Sequence, residues 1–230
     1  MISIIIPAYN AERYIGHAIS ELRSIKNSQI IVVCNNCSDN TYEEVELIRK
    51  KQRNIINLNF PYYTGKGGAI LHGFAVAKGD IIGFIDADNA FDIKDIKGII
   101  SLTKKYTCVI ASKWMDKEFI KIDQPFLRKL YSRTWNFLIR ILFNLNFSDT
   151  QAGLKFFKRK VINNINRNFI CTGFDFDIEL LWKIKEAGYK VHEVPVNFRK
   201  VGKSTVLTTH IFRMLLNLLR LRLFHWMQAL

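Results

Sequence analysis

The sequence predicts an α/β fold, a mostly parallel sheet wound with flanking helices. Short β-branched runs alternate with helical stretches through the first half of the chain. The runs end in polar or glycine-bearing loops, which is where such sheets place their ligands. A composition that is 49% hydrophobic and 13% aromatic over 230 residues suits one packed domain with a sizeable core.

Taken in order, Ser3-Ile4-Ile5-Ile6-Pro7 is an apolar strand that stops at Pro7. Ala8-Tyr9-Asn10 is a loop, with Asn10 placed to cap a helix from Ala11 to Ser24. Gln29 to Val33 forms a second strand, closed by the polar cluster Asn35-Asn36-Cys37-Ser38-Asp39-Asn40. A charged helix over Tyr42 to Lys51 and a strand near Ile55 to Leu58 follow. Gly65-Lys66-Gly67-Gly68 opens a helix that runs towards Lys78, and Gly79-Asp80 turns the chain into Ile81 to Ile85. That buried-strand pattern ends abruptly in Asp86-Ala87-Asp88.

The second half is less regular. Thr107 to Ser112 and Val191 to Phe198 read as strands, and Phe126 to Asn144 and Phe174 to Ala187 as helices. On the first of these helices, Lys129, Arg133, Asn136, Arg140 and Asn144 lie on one side, with Leu130, Tyr131, Leu138, Ile141 and Leu142 on the other. Thr208 to Leu230 is a helical tail rich in Leu, Phe and Trp, interrupted by Arg213, Arg220 and Arg222. It offers no charge-free span long enough to cross a bilayer. The expected division is residues 1–204 as the main domain and 205–230 as an amphipathic helix of the same unit.

The formal net charge of +14 calls for a polyanionic partner: nucleic acid, an anionic lipid surface or a phosphorylated substrate. Only four cysteines occur, Cys34, Cys37, Cys108 and Cys171, too few for a disulfide scaffold. Cys34-x-x-Cys37 has the spacing of a redox-active pair or half a zinc site, but no second such pair or paired-His motif completes a zinc site. The chain enters its first strand without a basic leader, and a reducing cytosolic setting fits.

Two carboxylates at a buried strand end repel, and a divalent cation would neutralise them. Mg²⁺ or Mn²⁺ is typically held by one or two carboxylates plus substrate phosphates. The rival reading is a strand-to-helix turn in which Asp88 or Asn89 caps the next helix. If the strand continued through them, both Asp side chains would point the same way.

Together these blocks resemble the inverting nucleotide-sugar glycosyltransferases of family 2, with the GT-A fold, and more narrowly the polyprenyl-phosphate (dolichyl-phosphate) mannose or glucose synthase branch. The resemblance spans Ile2 to Lys203. It rests on Ser3 to Asn10, Gly65-Lys66-Gly67-Gly68-Ala69 with Gly73, Ala77-Lys78-Gly79-Asp80 leading into Asp86-Ala87-Asp88, Asp149-Thr150-Gln151-Ala152-Gly153, and Phe174 to Leu180. It implies a Rossmann-like sheet and a nucleotide sugar of the GDP-mannose or UDP-glucose type bound by Pro7, Ala8, Tyr9, Asn10, Asn35, Asp39, Lys66, Asp86, Ala87 and Asp88. It also implies Mg²⁺ or Mn²⁺ on Asp86 and Asp88 as the catalytic pair, and a polyprenyl phosphate bound by Lys113, Arg128, Ser132, Arg199 and Lys203. The Gly65–Gly68 turn is expected to let backbone N–H groups approach the phosphates.

There are departures. Cys34-Asn35-Asn36-Cys37 stands where the family reads Asp-Asp-Gly-Ser, which leaves the base open, and Ala111-Ser112-Lys113 stands for Gly-Ser-Arg. Neither Gly65–Gly68 nor Gly202-Lys203-Ser204 makes a P-loop. The chain contains no Glu-Asp pair of the kind that relatives use as a base towards a hydroxyl acceptor. That favours an anionic acceptor over the alternative, a hydroxyl of a lipid-linked or cell-surface glycan. Asp175, Asp177 and Glu179 keep an open role. The two amphipathic helices, with Trp135 on one and Phe224 and Trp226 on the other, fit an anionic membrane surface. The enzyme is expected to be peripheral, on the cytoplasmic face, with no nucleic-acid partner. A pyrophosphorylase would need a Gly-rich basic loop after the first strand, which Ala8-Tyr9-Asn10 is not.

Overall fold

A computed structural model describes residues 1–88, 90–115, 126–197 and 208–228. Within the first half, β1 (Ile2–Ala8), α1 (Glu12–Leu22), β2 (Ser28–Asn35), α2 (Thr41–Arg49), β3 (Ile55–Phe60), α3 (Gly65–Val76) and β4 (Ile81–Ile85) alternate as the sequence predicts. The remainder is α4 (Ile93–Leu102), β5 (Cys108–Ser112), a 3₁₀ turn (Lys113–Met115), α5 (Phe126–Phe143), β6 (Leu154–Lys158), α6 (Arg159–Asn164), α7 (Phe176–Glu186), β7 (Val191–Pro195) and α8 (Thr208–Gln228).

The strands form one 7-stranded sheet in the order β3-β2-β1-β4-β6-β5-β7. Its ladders are parallel except where β6 inserts antiparallel between β4 and β5. This is the wound, Rossmann-like architecture of the GT-A fold. Strand alternation divides the core between its two faces. Ile4, Ile6, Ile30 and Val32 pack under α1 and α4, while Ile5, Ile31, Val33 and Phe84 pack under α3 and α7. Burying each such side chain contributes about 1.5–3 kcal/mol.

A third cluster gathers Ile139 and Phe143 of α5, Ile178, Leu181 and Trp182 of α7, and Leu218 and Leu221 of α8. The C-terminal helix is thus seated on the sheet's flanking layer. On α5, Ile139 and Phe143 turn inward, whereas Ile141, expected on the packed side, is 63% exposed beside Phe137, also 63%.

Two elements escape the sequence reading, α6 and β6, and α4 enters it only as the unbounded helix after Asp88. Leu154-Lys155-Phe156-Phe157-Lys158 has no β-branched residue and carries two lysines, so its strand character is hidden. Only a partner for Lys155 lets it sit in the middle of the sheet.

Candidate functional site

The site lies at the carboxyl ends of β1, β2 and β4. The first loop leaves β1 at Ala8, and Tyr9 stands 53% exposed with its ring edge-on to Tyr63 at 5.9 Å. Asn10 adopts a left-handed backbone (φ 48°). It does not cap α1: its side chain instead bonds to Ser38, accepting from the Ser38 amide at 2.8 Å and donating to its hydroxyl at 3.2 Å.

The capping comes from across the loops. Asp39 accepts from the Glu12 amide at 3.1 Å, Thr41 Oγ1 from the Ala11 amide at 2.8 Å, and Glu12 in turn accepts from the Asn40 amide at 3.2 Å. Asp39 also accepts from the Thr41 amide and hydroxyl. Burial works against its ionised form, but these bonds from Thr41 and Glu12 hold the carboxyl below the usual range. Asp39, expected to contact nucleotide, thus ties two helix N-termini together.

Asn35 is buried, and its amide clasps the start of α3. Its Oδ1 accepts from the Thr64 amide at 2.8 Å and the Thr64 hydroxyl at 2.9 Å, while Nδ2 donates to the Gly65 carbonyl at 3.1 Å. Gly65 has φ 77°, and a Cβ there would lie 2.2 Å from the Thr172 carbonyl oxygen. That carbonyl accepts from the amides of Gly67 (2.8 Å) and Gly68 (3.2 Å). The glycine turn therefore serves chain packing, and the amides expected to meet phosphate are engaged. Lys66 is what the turn delivers.

Lys66 Nζ lies 2.8 Å from Asp86 Oδ1 and 3.4 Å from Asp177 Oδ2. Lys155 Nζ, fully buried, lies 2.6 Å from Asp177 Oδ1 and donates to the Ala152 carbonyl at 2.6 Å. Burial alone would raise Asp177, but Lys155 and Lys66 hold it low. Burial likewise opposes charge on Lys66, and Asp177 and Asp86 outweigh it and raise its pKa. For Lys155 burial prevails and the pKa falls, leaving Asp177, between two ammonium groups, as the anionic centre.

The strand ends at Ile85, so Asp86 and Asp88 sit in a turn rather than on alternating strand positions. Asp88 accepts from the Ala90 amide at 3.1 Å, and the next helix is capped by Asp92, not by Asp88. Its carboxyl is pushed up to about 6 by burial and by Asp86. Lys66 neutralises Asp86, whereas no ammonium meets Asp88 within ion-pair distance among the described residues. Gly153 closes the floor: a Cβ there would lie 1.8 Å from Asp86 Oδ2. The Asp86 amide also donates to the Gly153 carbonyl at 2.9 Å.

An uncompensated, half-buried carboxylate beside a second one fits a hard divalent cation completed by ligand oxygens. Among the described residues no group of three or more acidic, His or Cys side chains would hold a metal by itself. Such an ion would therefore share its shell with substrate.

On the acceptor side, Lys113 follows β5 and lies 3.9 Å from Asp149. Asp149 and Ser148 donate their amides to Glu193 of β7 at 2.7 and 2.9 Å. Ser112 Oγ and Thr150 Oγ1 are buried there with no hydrogen-bond partner among the described residues. Arg128 and Ser132 fall within the first two turns of α5, with side chains outside the described set, and Arg199 and Lys203 lie outside the described residues.

The open acidic trio resolves by contact. Asp177 holds the two lysines. Asp175 accepts from the Gly173 amide and from Asn217 of α8 at 2.8 Å. Glu179 accepts from the Ile170 and Cys171 amides and meets Lys183 at 3.0 Å. Lys155 was missed, and Gly153 entered only as part of the Asp149–Gly153 block, because the sequence shows nothing that brings β6 beside β4.

Comparison with known proteins gives the family. The profile of glycosyl transferase family 2 matches residues 3–165. A dolichyl-phosphate beta-glucosyltransferase of Trichomonas vaginalis is 29% identical over 97% of this chain and 73% of its own length. One from Saccharomyces cerevisiae is 26% identical over 88% and 68%. Glycosyltransferase AglD of Haloferax volcanii is 27% identical over 89% of this chain, which spans 34% of that protein. Among solved structures, glucosyl-3-phosphoglycerate synthase from Mycobacterium tuberculosis, in complex with Mn²⁺ and UDP-glucose, superposes with a TM-score of 0.72. It is 18% identical, covering 96% of this chain and 78% of that one. The likeness is one of fold.

Proposed function

The chain belongs to glycosyl transferase family 2 and is a glycosyltransferase; on that premise we propose that it moves glucose from a UDP-sugar to a polyprenyl (dolichyl) phosphate, with inversion. The observation that carries the reading is the Lys66–Asp86–Asp88 constellation at the carboxyl end of β4, floored by Gly153. Glucose and a dolichyl-type acceptor come from the named activity of relatives that align along most of this chain, and uridine from the fold neighbour's complex. They are preferred over GDP-mannose on that ground.

A divalent cation at Asp88 and Asp86 would supply Lewis-acid neutralisation of a departing diphosphate. Within the chain, Lys66 holds Asp86 in position, and Asp177 with Lys155 fixes Lys66 from behind. Tyr9 and Tyr63 offer exposed aromatic faces at the mouth, suited to a nucleobase. In the reaction an acceptor phosphate oxygen forms a bond to the sugar's anomeric carbon, and the bond from that carbon to the β-phosphate oxygen breaks. The nucleoside diphosphate leaves with the electron pair. The attacking oxygen is already anionic, so no general base is required. Lys113, Arg128, Ser132, Arg199 and Lys203 remain the proposed acceptor-phosphate contacts.

A lipid acceptor needs a surface to meet it. Exposed Phe137 and Ile141 on α5, and exposed Leu216, Leu219 and Leu223 on α8, give each helix an apolar stretch interspersed with Arg140, or with Arg220 and Arg222. No helix among the described residues is long and apolar enough to cross a membrane. We place the enzyme peripherally on an anionic, cytoplasmic-face membrane surface.

The test is a donor screen with radiolabelled UDP-glucose, GDP-mannose and UDP-GlcNAc, a short polyprenyl phosphate, and Mn²⁺ or Mg²⁺. Label entering the organic phase from UDP-glucose is expected. Label on an added glycan, with none in the organic phase, would transfer the reading to a hydroxyl acceptor.

A further inference from the structure

The pair Cys34 and Cys37 remains unused by this reading. Cys34 ends the buried run of β2, with its thiol 3.5 Å from Asn57 Oδ1. Cys37 folds back over the same strand end: its Sγ lies 3.5 Å from the carbonyl of Ala8, the residue in register with Cys34. Both thiols lie on the same face of the sheet: Cys34 belongs to the core cluster under α1, and Cys37 packs against that cluster. Of the chain's four free cysteines, three are buried and Cys37 alone is partly exposed.

The geometry points to Cys34 and Cys37 as a reversible thiol–disulfide site whose closure disables the nucleotide-side loop that carries them. The disulfide itself does not depend on the proposed function; its effect on a nucleotide rests on that reading.

The chemistry has an entry point. The neighbouring Cys34, with the Asn10 and Asn35 backbone amides, lowers the Cys37 thiol to about 6 against the opposing effect of burial, which favours the attacking thiolate. The neighbouring Cys37, with burial, pushes Cys34 up. A low-molecular-weight disulfide such as oxidised glutathione is attacked by Cys37. A sulfur–sulfur bond to Cys37 forms, the oxidant's own bond breaks, and one glutathione thiolate leaves. Capping Cys37 removes the neighbouring charge that raises Cys34. Cys34 then gives its proton to solvent and attacks the Cys37 sulfur, and the second glutathione leaves as a thiolate. Two protein thiols are oxidised and one external disulfide is reduced to two thiols.

Closure has a structural consequence. Disulfide sulfurs must approach to about 2.0 Å, closer than two unbonded sulfurs can lie. The ring so formed encloses Asn35 and Asn36, the latter already left-handed at φ 57°. Asn35 is the residue whose amide clasps Thr64 and Gly65, so tightening the ring pulls on the turn that delivers Lys66.

The experiment incubates the full chain with oxidised glutathione, then alkylates it without denaturant and maps the cysteines by mass spectrometry. The wild type is expected to lose two hydrogens within the Cys34–Cys37 peptide, reversibly with dithiothreitol. Cys34→Ser should accumulate one glutathionyl group on Cys37, and Cys37→Ser none. Cys108 and Cys171, both 0% exposed, report folding, since either one alkylating marks an unfolded sample. Free Cys34 and Cys37 after treatment of a folded chain would overturn the site. UDP titration in Mn²⁺ is expected to show at least tenfold weaker binding by the oxidised than the reduced wild type, with Cys37→Ser unaffected by the oxidant. Equal affinity of the two forms would overturn the control. Absence of UDP binding by the reduced protein would instead count against the proposed function, leaving the thiol chemistry to stand or fall on the mass data.

Discussion

Asp88→Asn should make the metal-free protein more stable while removing its activity. Burial and Asp86 raise the Asp88 carboxyl from an ordinary 3.8 to about 6. The folded state therefore disfavours the charged form, and the wild type loses stability as pH rises from the unfolded value through about 6. A displacement of that size corresponds to about 3 kcal/mol at most. Partial exposure of the carboxylate reduces this to about 1–2 kcal/mol. Asparagine keeps an oxygen for the Ala90 amide and carries no charge, so the variant escapes the penalty. In EDTA at pH 8 it should melt about 2–8 °C above the wild type, and at pH 4 the two should coincide. Adding Mn²⁺ should reverse the order, since only the wild type gains from binding. Identical melting curves at pH 8 in EDTA, or a variant that retains metal-dependent turnover, would refute the reasoning.

Lys155→Met leaves Asp177 facing one lysine in the core and should cost about 3–5 kcal/mol, read by urea denaturation; Lys155→Met combined with Asp177→Leu should recover most of the loss. Gly153→Ala puts a methyl where Asp86 Oδ2 now lies, and should lower kcat/KM about 100-fold through misplacement of that carboxylate, with the far-UV circular dichroism unchanged. Leu219→Glu with Leu223→Glu, at positions 41% and 59% exposed, should leave the melting temperature within a few degrees and reduce sedimentation with anionic vesicles. Equal sedimentation would remove these residues from the proposed membrane face.

The first half of the fold was legible because β1, β2 and β4 are apolar, β-branched runs ended by polar or glycine loops, and β3 alternates apolar residues with Asn57 and Asn59. Ile81 to Ile85 announced both the strand and the carboxylates at its end. The glycine turn was legible as a motif but not in its use, since nothing local says that the Thr172 carbonyl, more than one hundred residues on, takes the amides of Gly67 and Gly68. The same limit hid Lys155. A lysine in a five-residue strand reads as an edge, and only the long-range pairing with Asp177 makes it central. The caps of α1 failed for a related reason. Asn10 has the right side chain at the right place, but its left-handed backbone turns it to Ser38, and Asp39 takes over from the neighbouring loop.

Charge at the site runs opposite to charge over the chain. Among the described residues, Asp86, Asp88 and Asp177 face Lys66 and Lys155, which leaves one negative charge in excess, located at Asp88. The chain as a whole carries +14. A basic surface draws a diphosphate in by long-range attraction, while an anionic point at the strand end repels it at contact. A divalent cation between Asp88 and the diphosphate removes that conflict, because it is attracted to both. Neutralising Asp88 by mutation removes the repulsion as well, but takes away the cation's anchor. The opposite signs expected for Asp88→Asn in stability and in turnover follow from that one local excess of charge.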